Sequence, residues 1–190
     1  LDGADDYLSL PARIGDSTDF TFSAWVKWNG GNDWQRIFDL GSGQKDYMFL
    51  SPKAGGGGLR FAIRQNWGTE QQRNTGALTA GVWTHVAVTI SGNTGKLFVN
   101  GSLVNTNTGM TINPADLGTS ANYLGKSQYN DPLFNGSLDS VRFLTTALSD
   151  AQVAASASSA TLQFNSDPLV IAGAAPMLPY TASIAGNASA

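Results

Sequence analysis

The sequence predicts an all-β fold, a two-sheet antiparallel β-sandwich, on two observations. Short runs that alternate apolar and polar residues recur at sandwich-like spacing, punctuated by Gly, Asn and Asp. The composition agrees, with 22 glycines and only 13% charged residues in 190. A domain of about 150 residues buries roughly 70% of its extended-chain surface, so the fold needs no staples, and the chain has no cysteine to supply one.

The first clear element is Phe20-Thr21-Phe22-Ser23-Ala24-Trp25-Val26-Lys27-Trp28, which places Phe20, Phe22, Ala24, Val26 and Trp28 on one face. A Gly-Gly-Asn-Asp turn follows. Strands are then expected at 36–40, 47–50 and 59–65, the last with Leu59, Phe61 and Ile63 opposite Arg60 and Arg64. The stretch Gly55-Gly56-Gly57-Gly58 lacks the Gly-Lys-Ser/Thr ending and the following helix of a phosphate loop, and reads as a hairpin connection. Further strands are expected at 83–90, where Val86, Val88 and Ile90 share a face, at 96–99 before the Asn100-Gly101 turn, and at 138–143. One short helix is predicted after Ser149, its candidate N-cap. The sandwich is assigned to residues 1–157. Residues 158–190, rich in Ala, Gly and Pro, read as a linker and the start of a following module, with a tail folded back on the sandwich as the alternative.

The catalytic inventory is thin. Glu70 is the only glutamate, whereas glycosidases use two carboxylates flanking the scissile bond, and the thirteen aspartates are scattered. With no cysteine and one histidine, thiol nucleophiles, cysteine-based zinc sites and two-histidine metal motifs are excluded. His85 sits in an alternating run and reads as a satisfied histidine near a strand start, not as a catalytic base. The acidic total, net −3, disfavours nucleic acid. No apolar stretch of about 18 residues would span a membrane, and no signal sequence opens the chain. An export signal is therefore expected upstream in a longer parent, or to have been removed.

Five strings in fixed order, Leu1-Asp2-Gly3-Ala4-Asp5-Asp6-Tyr7-Leu8, Phe20 to Lys27, Trp83 to Val88, Leu97 to Val104 and Phe134 to Arg142, resemble the laminin-G-like domains of the concanavalin A-like lectin/glucanase superfamily. The resemblance implies a jelly roll that serves as an accessory domain in secreted or surface bacterial polysaccharide-processing proteins. The final segment is similar to the opening of an immunoglobulin- or cadherin-like repeat. Enzymes on this jelly roll carry a Glu-x-Asp-x-x-Glu strand, which is absent here. The resemblance also implies a structural Ca²⁺, with Asp2 and Asp139 in the first and last strings as candidate ligands. Capping of backbone amides in tight turns is the other reading of these two aspartates.

Within these strings Trp25 and Trp83 are expected to pack. Trp34 and Trp67 lie in polar contexts, where an indole either stacks on the C–H face of a sugar or plugs a loop; Tyr129 is a weaker candidate of the same kind. Residues 36 to 73 carry Arg36, Lys45, Lys53, Arg60, Arg64 and Arg73 against Asp39, Asp46 and Glu70, a net +3. Arginine forks suit carboxylate and sulfate, so an anionic polysaccharide is one reading and a solvated strand face the other. The sequence thus predicts a non-catalytic, carbohydrate-binding monomer that works beside neighbouring domains of its parent. Trp34 and Trp67 would stack, and Arg36, Arg60, Arg64, Gln65 and Asn66 would orient the sugar. The alternative is an adhesive or spacer module.

Overall fold

The computed structural model describes residues 1–158 and the two-residue strand Ser183–Ile184. Eleven strands form the sandwich: β1 (Leu8–Leu10), β2 (Phe20–Trp28), β3 (Phe38–Gly41), β4 (Tyr47–Ser51), β5 (Gly58–Arg64), β6 (Gln71–Gly76), β7 (Trp83–Ser91), β8 (Thr94–Val99), β9 (Ser102–Asn107), β10 (Ala121–Leu124) and β11 (Gly136–Leu144). One sheet has the order β1-β10-β3-β4-β5-β6, with β12 (Ser183–Ile184) beyond β1, and the other the order β11-β2-β7-β8-β9. All pairings are antiparallel. The linker and following module expected from residue 158 lie otherwise outside the described residues.

Alternation decides which side chains meet between the sheets. Phe20, Phe22, Val26, Val86, Val88 and Ile90 from one sheet pack against Phe38, Leu40, Met48, Leu50, Leu59, Phe61 and Ile63 from the other. Each fully buried aromatic or branched side chain contributes about 1.5–3 kcal/mol. Trp28 stays in the core because its indole N–H donates to Gln35 Oε1 at 2.6 Å.

Four strands escape the sequence reading: β1, β6, β9 and β10. The pattern search fails on β6 (Gln-Gln-Arg-Asn-Thr-Gly) and β9 (Ser-Leu-Val-Asn-Thr-Asn) because both close sheet edges, where polar residues deter further pairing. The helix α1 (Asp150–Ser158) begins as predicted. The Ser149 hydroxyl accepts from Gln152 N at 3.3 Å, and Gln152 Oε1 accepts from Ser149 N at 2.8 Å, a reciprocal cap. Val153 of α1 lies on Ala87 and Phe98, so the helix covers part of the outer face of the five-stranded sheet.

Candidate functional site

The outer face of the larger sheet carries a second apolar cluster. Met48, Leu50, Phe61 and Ile63 turn inward, which turns Tyr47, Phe49 and Ala62 outward, and Trp34 and Tyr129 from flanking loops pack against them. Register places Tyr47 beside Arg64, Phe49 beside Ala62 and Ser51 beside Arg60. The result is an aromatic floor between two arginines, and Arg60 and Arg64 project on the side opposite the core, as their alternation predicts.

The sole glutamate is used here. Tyr47 donates its hydroxyl proton to Glu70 Oε1 at 2.7 Å, and Glu70 Oε2 lies 3.9 Å from Arg60 Nη1. Burial, first of all, holds the Tyr47 phenol above its usual range, and Glu70 acts in the same direction. Arg64 Nη1 donates to the hydroxyls of Tyr47 and Tyr129, each at 3.4 Å. Its guanidinium stands 5.2 Å from the Trp67 ring. Arg60 donates to Asn74 Oδ1 at 2.8 Å and lies 5.1 Å from the Trp34 ring.

Arg36, expected to orient a ligand, does not reach the surface. It is 3% exposed, donates from Nε to Asp39 Oδ2 at 3.3 Å and from Nη2 to Asp131 Oδ2 at 2.9 Å, and caps the Trp34 carbonyl at 2.6 Å. Its guanidinium lies 4.0 Å over the Phe49 ring, so it packs against the aromatic floor. Burial pushes the Asp39 carboxyl up to about 7, against the pull of Arg36 and the amide of Gln128. Asp39 is only three residues on, but Asp131 is 95 residues away and no local pattern signals it.

The two undecided tryptophans separate. Trp34 is half-buried against Phe49 at 6.4 Å and over Gly55, where an added Cβ would lie 2.7 Å from its Cζ2. Trp67 is 60% exposed at the tip of the β5–β6 hairpin. There Gly68 N donates to Gln65 O at 2.9 Å, with Asn66 at φ 53° and Trp67 at φ 59°. Two successive positive φ values define a type I′ turn, a place for Asn-Gly. A tryptophan there is strained, and Trp34 is also left-handed at φ 72°. Asn66 is exposed beside Trp67, and its N–H donates to Asp46 Oδ1 at 2.6 Å. Gln65 is committed elsewhere, donating to the Asp116 carbonyl at 2.8 Å. Tyr129 stands edge-on to Tyr47 at 5.8 Å and donates to Gln44 O at 3.2 Å. Tyr47, Phe49 and Glu70 are the members that sequence reasoning missed. The signal lay in Tyr47 and Phe49 alternating with Met48 and Leu50 inside one apolar run.

The positive stretch of sequence is largely neutralised in space. Asp39 and Asp131 match Arg36, and Glu70 approaches Arg60. Among the described residues, Arg64 is the arginine of this face with no carboxylate within 4.0 Å.

The metal candidates are not brought together as a pair. Asp2 forms a bridge with Asn135, and Asp139 lies four residues further along, about 13 Å at roughly 3.3 Å per strand residue. Carboxylate oxygens of Asp2, Asp5 and Asp6 instead lie within 4.8 Å of one another. Asp2 Oδ1 accepts from the Ala4 and Asp5 amides, and the Ala4 bond chiefly lowers its pKa. Asp139 Oδ1 accepts from Ser140 N at 2.6 Å.

A two-sheet jelly roll with an aromatic and arginine-lined outer face defines a lectin-like sandwich. The profile of the concanavalin A-like lectin/glucanases superfamily, of laminin-G type, matches residues 2–154, and the chain belongs to that superfamily. Its fold is similar to domain 4 of AbnA, a GH43 extracellular arabinanase from Geobacillus stearothermophilus solved with arabinotriose. That likeness has a TM-score of 0.70 at 23% identity, covering 83% of this chain and 74% of that one. It is also similar to the Ruminococcus gnavus IT-sialidase CBM40 bound to α2,3 sialyllactose, with a TM-score of 0.65 at 22% identity over 75% of this chain and 84% of that one. In sequence it is 30% identical over 132 residues to an α-L-arabinofuranosidase of Bifidobacterium longum, a match that spans 68% of this chain and 12% of that enzyme. No helix among the described residues is long and apolar enough to cross a membrane.

Proposed function

We propose that the domain is a non-catalytic carbohydrate-binding module of a secreted or surface bacterial polysaccharide-processing protein. The observation that carries this reading is Trp67, an exposed indole kept in a left-handed turn beside Arg64, whose guanidinium also bonds the Tyr47 hydroxyl of the aromatic floor. A sugar ring laid on Trp67 would meet hydrogen-bond donors at Arg64 and Asn66 and an acceptor at Glu70. The saccharide-bound domains of similar fold support the reading. Arg36 leaves the set of ligand contacts, and Gln65 contributes through the shape of the hairpin. Residues beyond 158 would carry the link to neighbouring domains of the parent, with Ser183–Ile184 paired along β1.

Arg64 gives the proposal its finer form. A guanidinium without a carboxylate partner suits a sugar with an isolated acidic group, such as a uronate, better than a dense polyanion, because Asp39, Asp131 and Glu70 offset the other charges of the face. In a pull-down panel of neutral and acidic polysaccharides, paired with a reducing-sugar assay, binding without new reducing ends is expected. Arg64→Ala should weaken acidic polymers about tenfold and neutral ones less. Equal losses on both would refute the acidic preference, release of sugar would refute the non-catalytic role, and no binding to any polymer would favour a spacer or adhesive module.

Calcium is proposed on revised ligands. Asp2, Asp5 and Asp6 offer hard oxygen donors suited to Ca²⁺, with Asp139 no longer among them. Calcium is expected to raise the Tm and Asp5→Asn to abolish the rise. A Tm indifferent to both Ca²⁺ and EDTA would leave these residues as turn caps.

A further inference from the structure

The opposite side of the molecule holds a second polar concavity that the proposed sugar face does not use. Residues 21, 23, 25 and 27 of β2 and 83, 85, 87 and 89 of β7 point away from the core, because their neighbours Phe22, Ala24, Val26, Val86, Val88 and Ile90 fill it. The helix α1 covers the Ala87 end of this face. Where the helix stops, Ser23, Trp25, His85, Ser140, Arg142 and Ser156 line a pit of about 30 Å³, room for one or two water-sized groups.

The floor of the pit is an unfinished hydrogen-bond network. His85 is 2% exposed, and its Nε2 lies 3.3 Å from Ser156 Oγ. Ser156 Oγ also lies 2.8 Å from the Val153 carbonyl, and with its proton directed there it accepts from His85 Nε2–H. In that tautomer Nδ1 is an acceptor, and this buried atom has no partner among the described residues. Leaving such an atom unsatisfied costs about 1–3 kcal/mol. Burial, followed by the charge of Arg142, lowers the His85 pKa to about 4, so the ring stays neutral and Nδ1 keeps its lone pair.

The rim is built for a ligand with both donor and acceptor character. Arg142 and Ser140 lie at the surface, and Arg142 makes no ion pair among the described residues. Both stand at the irregularity of β11 between Asp139 and Arg142, where Ser140 takes a left-handed φ of 51°. The irregularity turns residue 140 toward the pit, as bulges re-aim side chains. Trp25 stands edge-on to His85 at 5.5 Å. Trp83, two residues along β7, is Trp25's diagonal neighbour and is 43% exposed, against the packing role expected for it.

We propose that this pit is a second saccharide contact, in which a sugar ring rests on Trp25 and Trp83 and one hydroxyl or hydroxymethyl group enters to donate to His85 Nδ1 while accepting from Arg142. A hydroxyl meets both demands, whereas a carboxylate would face the Nδ1 lone pair. The ligand class is therefore a neutral sugar, distinct from the acidic group proposed for Arg64. Two such faces on opposite sheets would let one module engage two chains of a polymer, with avidity beyond either contact.

The chain has a single histidine, so its imidazole nitrogen resonances are unambiguous in ¹⁵N-labelled protein. Titration of the full 190-residue chain with D-galactose, D-glucose, D-mannose and L-arabinose is expected to move the Nδ1 resonance saturably with at least one of them. The shift should persist in Trp67→Gly, which disables the first face, and Arg142→Met should raise the apparent Kd about tenfold or more. Arg142 lies at the surface and outside the core, so that variant keeps the fold; Trp25→Leu serves as a second probe. An Nδ1 resonance that no sugar moves up to its solubility limit would overturn the proposal and assign the pit to water. A shift lost in Trp67→Gly would overturn it as an effect transmitted from the first face. A shift indifferent to both Arg142→Met and Trp25→Leu would place the sugar elsewhere.

Discussion

Replacing Arg36 with alanine is expected to destabilise the domain by about 3–5 kcal/mol, the cost of removing one partner from a buried ion pair. The guanidinium neutralises Asp39, which is 1% exposed, bonds Asp131 and the Trp34 carbonyl, and supports Phe49. Without it, Asp39 is left to the Gln128 amide, at 3.1 Å. The loss should depend on pH in a defined direction. Burial already raises the Asp39 pKa to about 7 in the folded state, and deleting Arg36 removes the largest influence that lowers it. A folded-state pKa above the unfolded one means the native state binds more protons, so stability falls as pH rises from about 4 through the folded pKa. The Arg36→Ala deficit is therefore larger at pH 8 than at pH 5, where Asp39 takes a proton. Urea unfolding at the two pH values measures this, and an equal deficit at both would mean that Asp39 is not the group left behind. Arg36→Met combined with Asp39→Leu should recover much of the loss, because a buried ion pair replaced by apolar residues of similar volume is often neutral.

Arg36 also shows where sequence reasoning stops. The strands whose inward residues are large and regular, β2, β5 and β7, are legible because period-two alternation survives on both of their faces. The same alternation places Arg60 and Arg64 on the outer face. It fails for Tyr47 and Phe49, since aromatic residues on an outer floor resemble core residues when their neighbours are Met48 and Leu50. It fails for Trp83 because a family string that recurs in a sandwich does not say which side of the sheet its tryptophan takes. Arg36 escapes it because its burial depends on Asp131, which arrives from the loop after β10. Local pattern reports the face on which a side chain lies, and distant pairing decides whether it is free to bind.

Trp67→Gly is expected to weaken polysaccharide binding about thirtyfold, roughly 2 kcal/mol for loss of a central aromatic anchor, while stabilising the fold. The second half of this prediction separates it from an ordinary deletion. Trp67 has a φ of 59° in a two-residue turn after Asn66, and a non-glycine residue in the left-handed region costs about 1–2 kcal/mol. Glycine after Asn66 creates the Asn-Gly pair that type I′ turns prefer, so the strain should be released while both sheets keep their core packing. Were Trp67 a hydrophobic plug, its removal would lower stability, because burial of its ring would be the reason for tolerating the strain. A ring that is 60% exposed has little burial to lose. Paired thermal unfolding and affinity electrophoresis on the same variant decide between the two. A higher Tm with weaker binding supports a tryptophan kept for a ligand, whereas a lower Tm with unchanged binding would move the sugar contact away from this hairpin.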